Sequence, residues 1–153
     1  MNTAKRAEQI NETGILHASI NDDDSLTVYA DYYDGREMDL AHLFQDGRFK
    51  GVKLELEALQ DTDLLCLSEA AQIEDLNLKG NKMLTGLVLS SLPHTIGLRS
   101  LDVANTQIGD EDLDTITSFP LLTIVWGHKD QFSAVKLIDL RRQFPMLEFR
   151  LIY

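Results

Sequence analysis

The large apolar residues of this chain return at a fixed interval. Ile73, Leu76, Leu78, Asn81 and Met83 form the string L-x-x-L-x-L-x-x-N-x-L, in which L stands for any large apolar residue. The string comes back 25 residues later as Leu98, Leu101, Val103, Thr106 and Ile108, and 24 residues after that as Leu122, Val125, Gly127, Asp130 and Phe132. Twenty-four residues before Ile73 it reads Phe49, Val52, Leu54, Glu57 and Leu59, and a final half-unit starts at Leu147, 25 residues past Leu122, and keeps Ile152. Spacings of 24, 25, 24 and 25 mark one supersecondary unit repeated along the chain.

Each unit predicts a strand, a turn, a short helix and a return. The x-L-x-L alternation has the period of a strand with one buried face. Leu59 to Leu64 aligns without gaps on Ile108 to Leu113, and Leu67 falls where Ile116 falls, so an i, i+3 apolar face continues each unit as a short helix. Asp61 and Asp110 stand where an N-cap carboxylate would accept backbone N–H bonds and complement the helix dipole. Phe119-Pro120-Leu121-Leu122 matches Phe144-Pro145-Met146-Leu147, where proline ends the helix and leads into the next strand.

Over residues 49–153 the chain resembles the leucine-rich-repeat family. The unit from Ile73 to Met83 fits the pattern fully. The family's asparagine position holds Asn81 once and otherwise Glu57, Thr106 and Asp130, while Gly127 and Arg150 fall at positions that should be apolar. The expected fold is α/β: a leucine-rich-repeat solenoid with a curved parallel β-sheet on the concave face and short helices on the convex face. No unit can bury its own stripe, so the units must stack on a shared core. Residues 1–48 are expected to form an N-terminal α/β cap (helix, β-hairpin, helix) integral to a single structural domain. Its strands are Ile15–Ile20 and Leu26–Tyr33 about the turn Asn21–Ser25, followed by a helix over Met38, Leu40, Leu43 and Phe44. Residues 49–153 supply about four units and a bare terminal strand.

Composition narrows the function classes. The 153 residues are 44% hydrophobic, enough for one domain with a true core. Lys and Arg number 14 against 25 Asp and Glu, a formal charge of −11. That excess repels phosphate backbones and anionic bilayers, so neither nucleic acid nor membrane is expected as a partner. If the charge serves recognition it favours a basic protein; the plainer reading is that it keeps the chain soluble. One cysteine, Cys66, a polar Met1–Asn11 segment and no long apolar run together predict a cytoplasmic protein.

No catalytic pattern is present: there is no phosphate-binding glycine loop, no HExxH and no CxxC. His17, His42, His94 and His128 lack the close spacing of a metal pair, and Asp22-Asp23-Asp24 lacks the alternating ligands of a calcium loop. No enzyme activity, metal or cofactor is therefore expected, and the resemblance implies protein recognition on the concave sheet face.

The outward-facing positions of the strands locate that expectation. Read at the repeat spacing, the first three units present charged and small groups, and the last two present Ile124, Trp126, Phe149, Leu151 and Tyr153 with His128 beside them. This cluster, bordered by Asp102, Asp75 and Glu74, is the candidate protein-binding site. Its most concrete version is an acidic inhibitor or immunity-type protein that covers a basic toxin or enzyme. Three alternatives stand beside it. A slip of one residue in the last units would bury Trp126 and Phe149; the N-terminal tail would cover the patch; or the terminal edge strand would pair with a second copy or dock in a larger assembly, making the chain a homodimer or structural subunit.

Overall fold

A computed structural model of the chain describes residues 4–5, 7–8, 17–22, 25–29, 48–55, 59–68, 72–92 and 97–153. Its frame is one open, mostly parallel sheet of seven strands that lie side by side in chain order. They are β1 (His17–Ile20), β2 (Leu26–Tyr29), β3 (Arg48–Glu55), β4 (Gln72–Asn77), β5 (Ser100–Asp102), β6 (Ile124–His128) and β7 (Glu148–Ile152). β1 and β2 form the antiparallel hairpin expected near the N-terminus, closed by Asn21 N–H donating to the Ser25 carbonyl at 2.9 Å. Every later pair is parallel. The expected helix over Met38–Phe44, and Glu57, lie outside the described residues.

The apolar period is what aligns the strands. Val52 is in register with Leu76, Leu76 with Leu101, and Leu101 with Val125, so equivalent residues of successive units stand side by side. Their side chains, with those of Leu26, Leu54, Leu78 and Val103, point to one side of the sheet and are fully or almost fully buried there. The helical segments close that side. They are a 3-10 helix at Asp61–Ser68, α1 (Leu87–Ser91), a 3-10 turn at Asp110–Asp112 running into α2 (Leu113–Ile116), and α3 (Ala134–Gln143). None is long enough to be stable alone. They are held by burying Leu64, Val88, Leu89, Leu113, Ile116, Leu137 and Leu140 in the same core cluster as the strand residues. Ala7 belongs to that cluster too, which ties the helical residues 7 and 8 to the core. Among the described residues no helix is long and apolar enough to cross a membrane.

Several local expectations are corrected. The aspartates read as N-caps bind the next unit instead. Asp61 accepts from the Thr85 N–H at 2.8 Å and the Thr85 hydroxyl at 2.6 Å, and Asp110 accepts from the Ser133 N–H at 2.8 Å. The residues two further on do the capping: Gln60 N–H donates to Asp63, and Gly109 N–H donates to Asp112, each at 2.8 Å. Carboxylates three residues past a helix start reach back to its first N–H, which frees Asp61 and Asp110 to join units. Met83, placed in the core by the pattern, is 51% exposed, and Leu84 is buried in its stead.

The final strand carries the largest correction. Val125 is in register with Phe149, a spacing of 24, not with Arg150 at the expected 25. A shift of one residue turns every side chain of a strand to the other face. Phe149 therefore points into the core, 5% exposed, and Leu151 packs against the core behind it. Both were expected to face outward. The physical reason is the alternative frame, which would bury the Arg150 charge and leave the Phe149 ring in water. Exposing that ring alone forfeits about 2 kcal/mol of burial, and an unpaired buried guanidinium would cost more.

Candidate functional site

The face of the sheet away from the core is built from the alternate positions of each strand, and the register aligns them in rows across it. One row runs Gly51, Asp75, Ser100, Ile124, Glu148. The next runs Thr27, Lys53, Asn77, Asp102, Trp126, Arg150. Past it His128 is in register with Ile152. Trp126, Ile124 and His128 are half-buried on this face, as are Asn77, Asp102, Arg150 and Ile152.

Asn77 and Asp102 do structural work in their row. Asn77 Oδ1 accepts from the Lys79 N–H, and Asp102 Oδ1 accepts from the Ala104 N–H, each at 3.0 Å. A short side chain accepting from the backbone two residues on fixes the exit of the strand into its turn. The third residue of this series is Trp126, which has no acceptor to offer. There the equivalent N–H, that of His128, donates to Gln131 Oε1 at 3.0 Å.

Gln131 also takes over the asparagine position. In the second unit Asn81, 2% exposed, donates from Nδ2 to the Leu54 carbonyl of the previous unit at 2.9 Å and to its own Leu78 carbonyl at 2.8 Å. In the fourth unit Gln131 Nε2 donates to the Val103 carbonyl of the previous unit at 2.9 Å and to the Ile108 carbonyl at 2.8 Å. Asp130, where the pattern put the asparagine, is exposed, and its carboxylate lies 3.7 Å from His128 Nδ1. One turn differs, and one longer side chain serves it from both ends. Position 126 is thereby released from structural duty and holds an indole.

Around Trp126 the charges are specific. The Arg150 guanidinium lies over its ring, 5.1 Å from the centroid. The same guanidinium donates to both Glu148 oxygens at 2.9 and 3.0 Å, which holds the Glu148 carboxyl below its usual range and raises Arg150 further. On the other side of Trp126 stands Asp102. Burial pushes its pKa up, against the opposing pull of the Ala104 N–H and the charges of Lys79 and Lys53. Carboxylates shifted by burial recur at functional sites and in structural hydrogen-bond networks alike.

Of the residues expected at the site, Ile124, Trp126, His128, Asp75 and Asp102 share this face, while Phe149 and Leu151 do not. Glu74 is off the rows and faces Arg99 at 3.8 Å. Tyr153 follows β7, is 96% exposed, and has Lys129 Nζ 5.5 Å from its ring centre. Arg150, Glu148 and Ile152 were missed, because the expected frame of β7 turned them away. The signal that finds them is the cost of burying Arg150. Among the described residues no three His, Cys, Asp or Glu side chains gather as a metal site would require. Compared with known proteins, the chain matches no protein-family model and no curated sequence.

Proposed function

We propose that the chain is a leucine-rich-repeat solenoid acting as a non-enzymatic, cytoplasmic protein-interaction module that grips a partner protein on its open sheet face. The observation that carries this reading is Trp126. It stands in a row that otherwise holds Thr27, Lys53, Asn77, Asp102 and Arg150, and the structural task of its position has passed to Gln131. Tryptophan and arginine are both enriched among the residues that anchor protein interfaces.

The partner is a protein with a basic patch, whose cation meets Asp102 and Asp75 while an apolar side chain seats on Ile124 and Trp126. Such a cation would restore to Asp102 what burial takes from it. Its concrete form is an inhibitor or immunity-type protein that covers a basic enzyme or toxin. Neither nucleic acid nor membrane suits a face on which Asp75, Asp102 and Glu148 alternate with Lys53 and Arg150.

The test is affinity capture from the native source with wild-type protein, Trp126→Ser and Asp102→Asn, each first shown to be folded by circular dichroism. A partner retained by wild-type protein and lost with both variants supports the reading. Identical capture by all three sinks it.

A further inference from the structure

Among the described residues β1 and β7 are the edges of the sheet, and β7 is complementary to itself. Glu148 N–H donates to the Thr123 carbonyl at 2.8 Å, and Lys129 N–H donates to the Ile152 carbonyl at 2.9 Å. In a parallel ladder these directions alternate, so Glu148, Arg150 and Ile152 address β6 with their backbone, while Phe149 and Leu151 turn theirs outward. β7 contains no proline, lysine or bulge of the kind that blunts a sheet edge. Its two charges, Glu148 and Arg150, neutralise each other within the strand.

We infer that β7 pairs antiparallel with β7 of a second copy, about a two-fold axis at Phe149. This rests on the edge of the sheet and not on the face reading above. In that register Glu148 of each copy lies opposite Arg150 of the other, so the two intrastrand ion pairs merge into an alternating four-charge ladder. Leu147, just before β7, lies opposite Leu151; its N–H already donates to the Phe144 carbonyl, so its carbonyl alone would join the ladder. Slipping the strands by two residues one way sets Arg150 against Arg150; slipping them the other way sets Glu148 against Glu148. Like charges directly opposite are unfavourable, so charge selects one register of the three. A two-fold contact closes on itself and stops at the dimer. It also joins two open faces side by side, each with its own Trp126, into one longer surface.

A single pair of five-residue strands belongs to the weak class of interfaces, below about 1,200 Å² in total, so the dimer is concentration-dependent. The experiment is sedimentation equilibrium of the full chain over about a hundredfold range of concentration, with native mass spectrometry of mixtures. Wild-type protein should show a reversible monomer–dimer equilibrium. E148R makes the strand all-positive and R150E makes it all-negative. Each should weaken self-association by about tenfold or more, and an equimolar mixture of the two should form 1:1 heterodimers. The double exchange E148R/R150E should dimerise again. Misfolded variants would not recover association on mixing, so the heterodimer separates loss of the interface from loss of the fold. A wild-type chain that stays monomeric, single exchanges that leave the dimer intact, a mixture without heterodimers, or growth into polymers would each overturn the inference.

Discussion

Replacing Gln131 by alanine asks whether one side chain holds the fourth unit to the third. Its Nε2 donates to the carbonyls of Val103 at 2.9 Å and Ile108 at 2.8 Å, and its Oε1 accepts from the His128 N–H at 3.0 Å. A fourth contact, to the Thr106 hydroxyl at 3.3 Å, is long and contributes little. Each good bond is worth about 1 kcal/mol net, and unmet backbone groups in a partly buried turn raise the cost. Water reaches some of them because Gln131 is only half-buried. The expected loss is about 2–3 kcal/mol. Asp130→Ala removes only an exposed 3.7 Å contact to His128 and should cost less than about 0.5 kcal/mol. Gln131→Glu is the stricter control. It keeps length and volume but aims a carboxylate at two carbonyl oxygens, so it should be no better than alanine. Urea denaturation followed by circular dichroism measures all three, with the midpoint shift read at constant slope. A Gln131→Ala midpoint within error of wild type, or a larger loss at Asp130, would refute the reasoning.

Three further outcomes follow from the same contacts. Gly127→Ala would drive a Cβ into the Phe132 ring, so it should destabilise by about 1–3 kcal/mol, and Phe132→Leu in the same chain should recover part of that loss in thermal melts. Phe149→Ala should cost about 3–5 kcal/mol as a core truncation, whereas Trp126→Ala, losing a half-buried ring and a cation–π contact, should cost about 1–2 kcal/mol; equal losses would contradict the frame of β7. For Asp102 the sign is opposite to that of a salt-bridged acid. Its folded pKa lies above 3.8 because burial disfavours the charge, so its favourable contribution is complete at low pH and is lost as pH rises through the folded value. Asp102→Asn keeps the oxygen that accepts from Ala104 and should therefore be more stable than wild type at neutral pH. The gap should close as pH falls below the ordinary aspartate range; a gap that widens in acid would be the wrong sign.

How much of this was legible in the sequence depends on what sets each feature. The strands and their order follow from Val52, Leu76, Leu101 and Val125, because one buried residue per strand at constant spacing leaves one efficient way to stack. The hairpin before them was legible from alternation around Asn21–Ser25. The frame of β7 was hidden by the count: an interval of 25 sets Arg150 against Val125, whereas the alternation of Leu147, Phe149 and Leu151 with Glu148 and Arg150 already marks the apolar residues as the core face. The hand-over from Asp130 to Gln131 was hidden for a related reason. Asn105 takes a left-handed φ of 59° in the third turn, where Gly80 has 83° in the second. The fourth turn closes one residue later, with Gln131 N–H donating to the His128 carbonyl at 2.9 Å where Asn81 and Thr106 donate to Leu78 and Val103. Counting residues cannot see that a turn has gained one while its side chain has grown to compensate.

The charge of −11 reads differently once its members are placed. Asp61 and Asp110 tie one unit to the next, Asp63 and Asp112 cap their own segments, and Asp114 pairs with Lys136 at 2.8 Å. These acids lie at helix starts, where backbone N–H groups would otherwise go unmet, and a repeated unit multiplies that need by its copy number. Five of the 25 acidic residues are thus accounted for by stacking short helical segments, and that share of the acidity says little about what the protein meets. The open sheet face carries nearly balanced charge, with Lys53, Lys79 and Arg150 set among Asp75, Asp102 and Glu148. Whatever binds there must match a local arrangement around Trp126, with a cation toward Asp102 and apolar surface toward Ile124, and a partner selected on overall basicity alone would find Lys53 and Lys79 in its way.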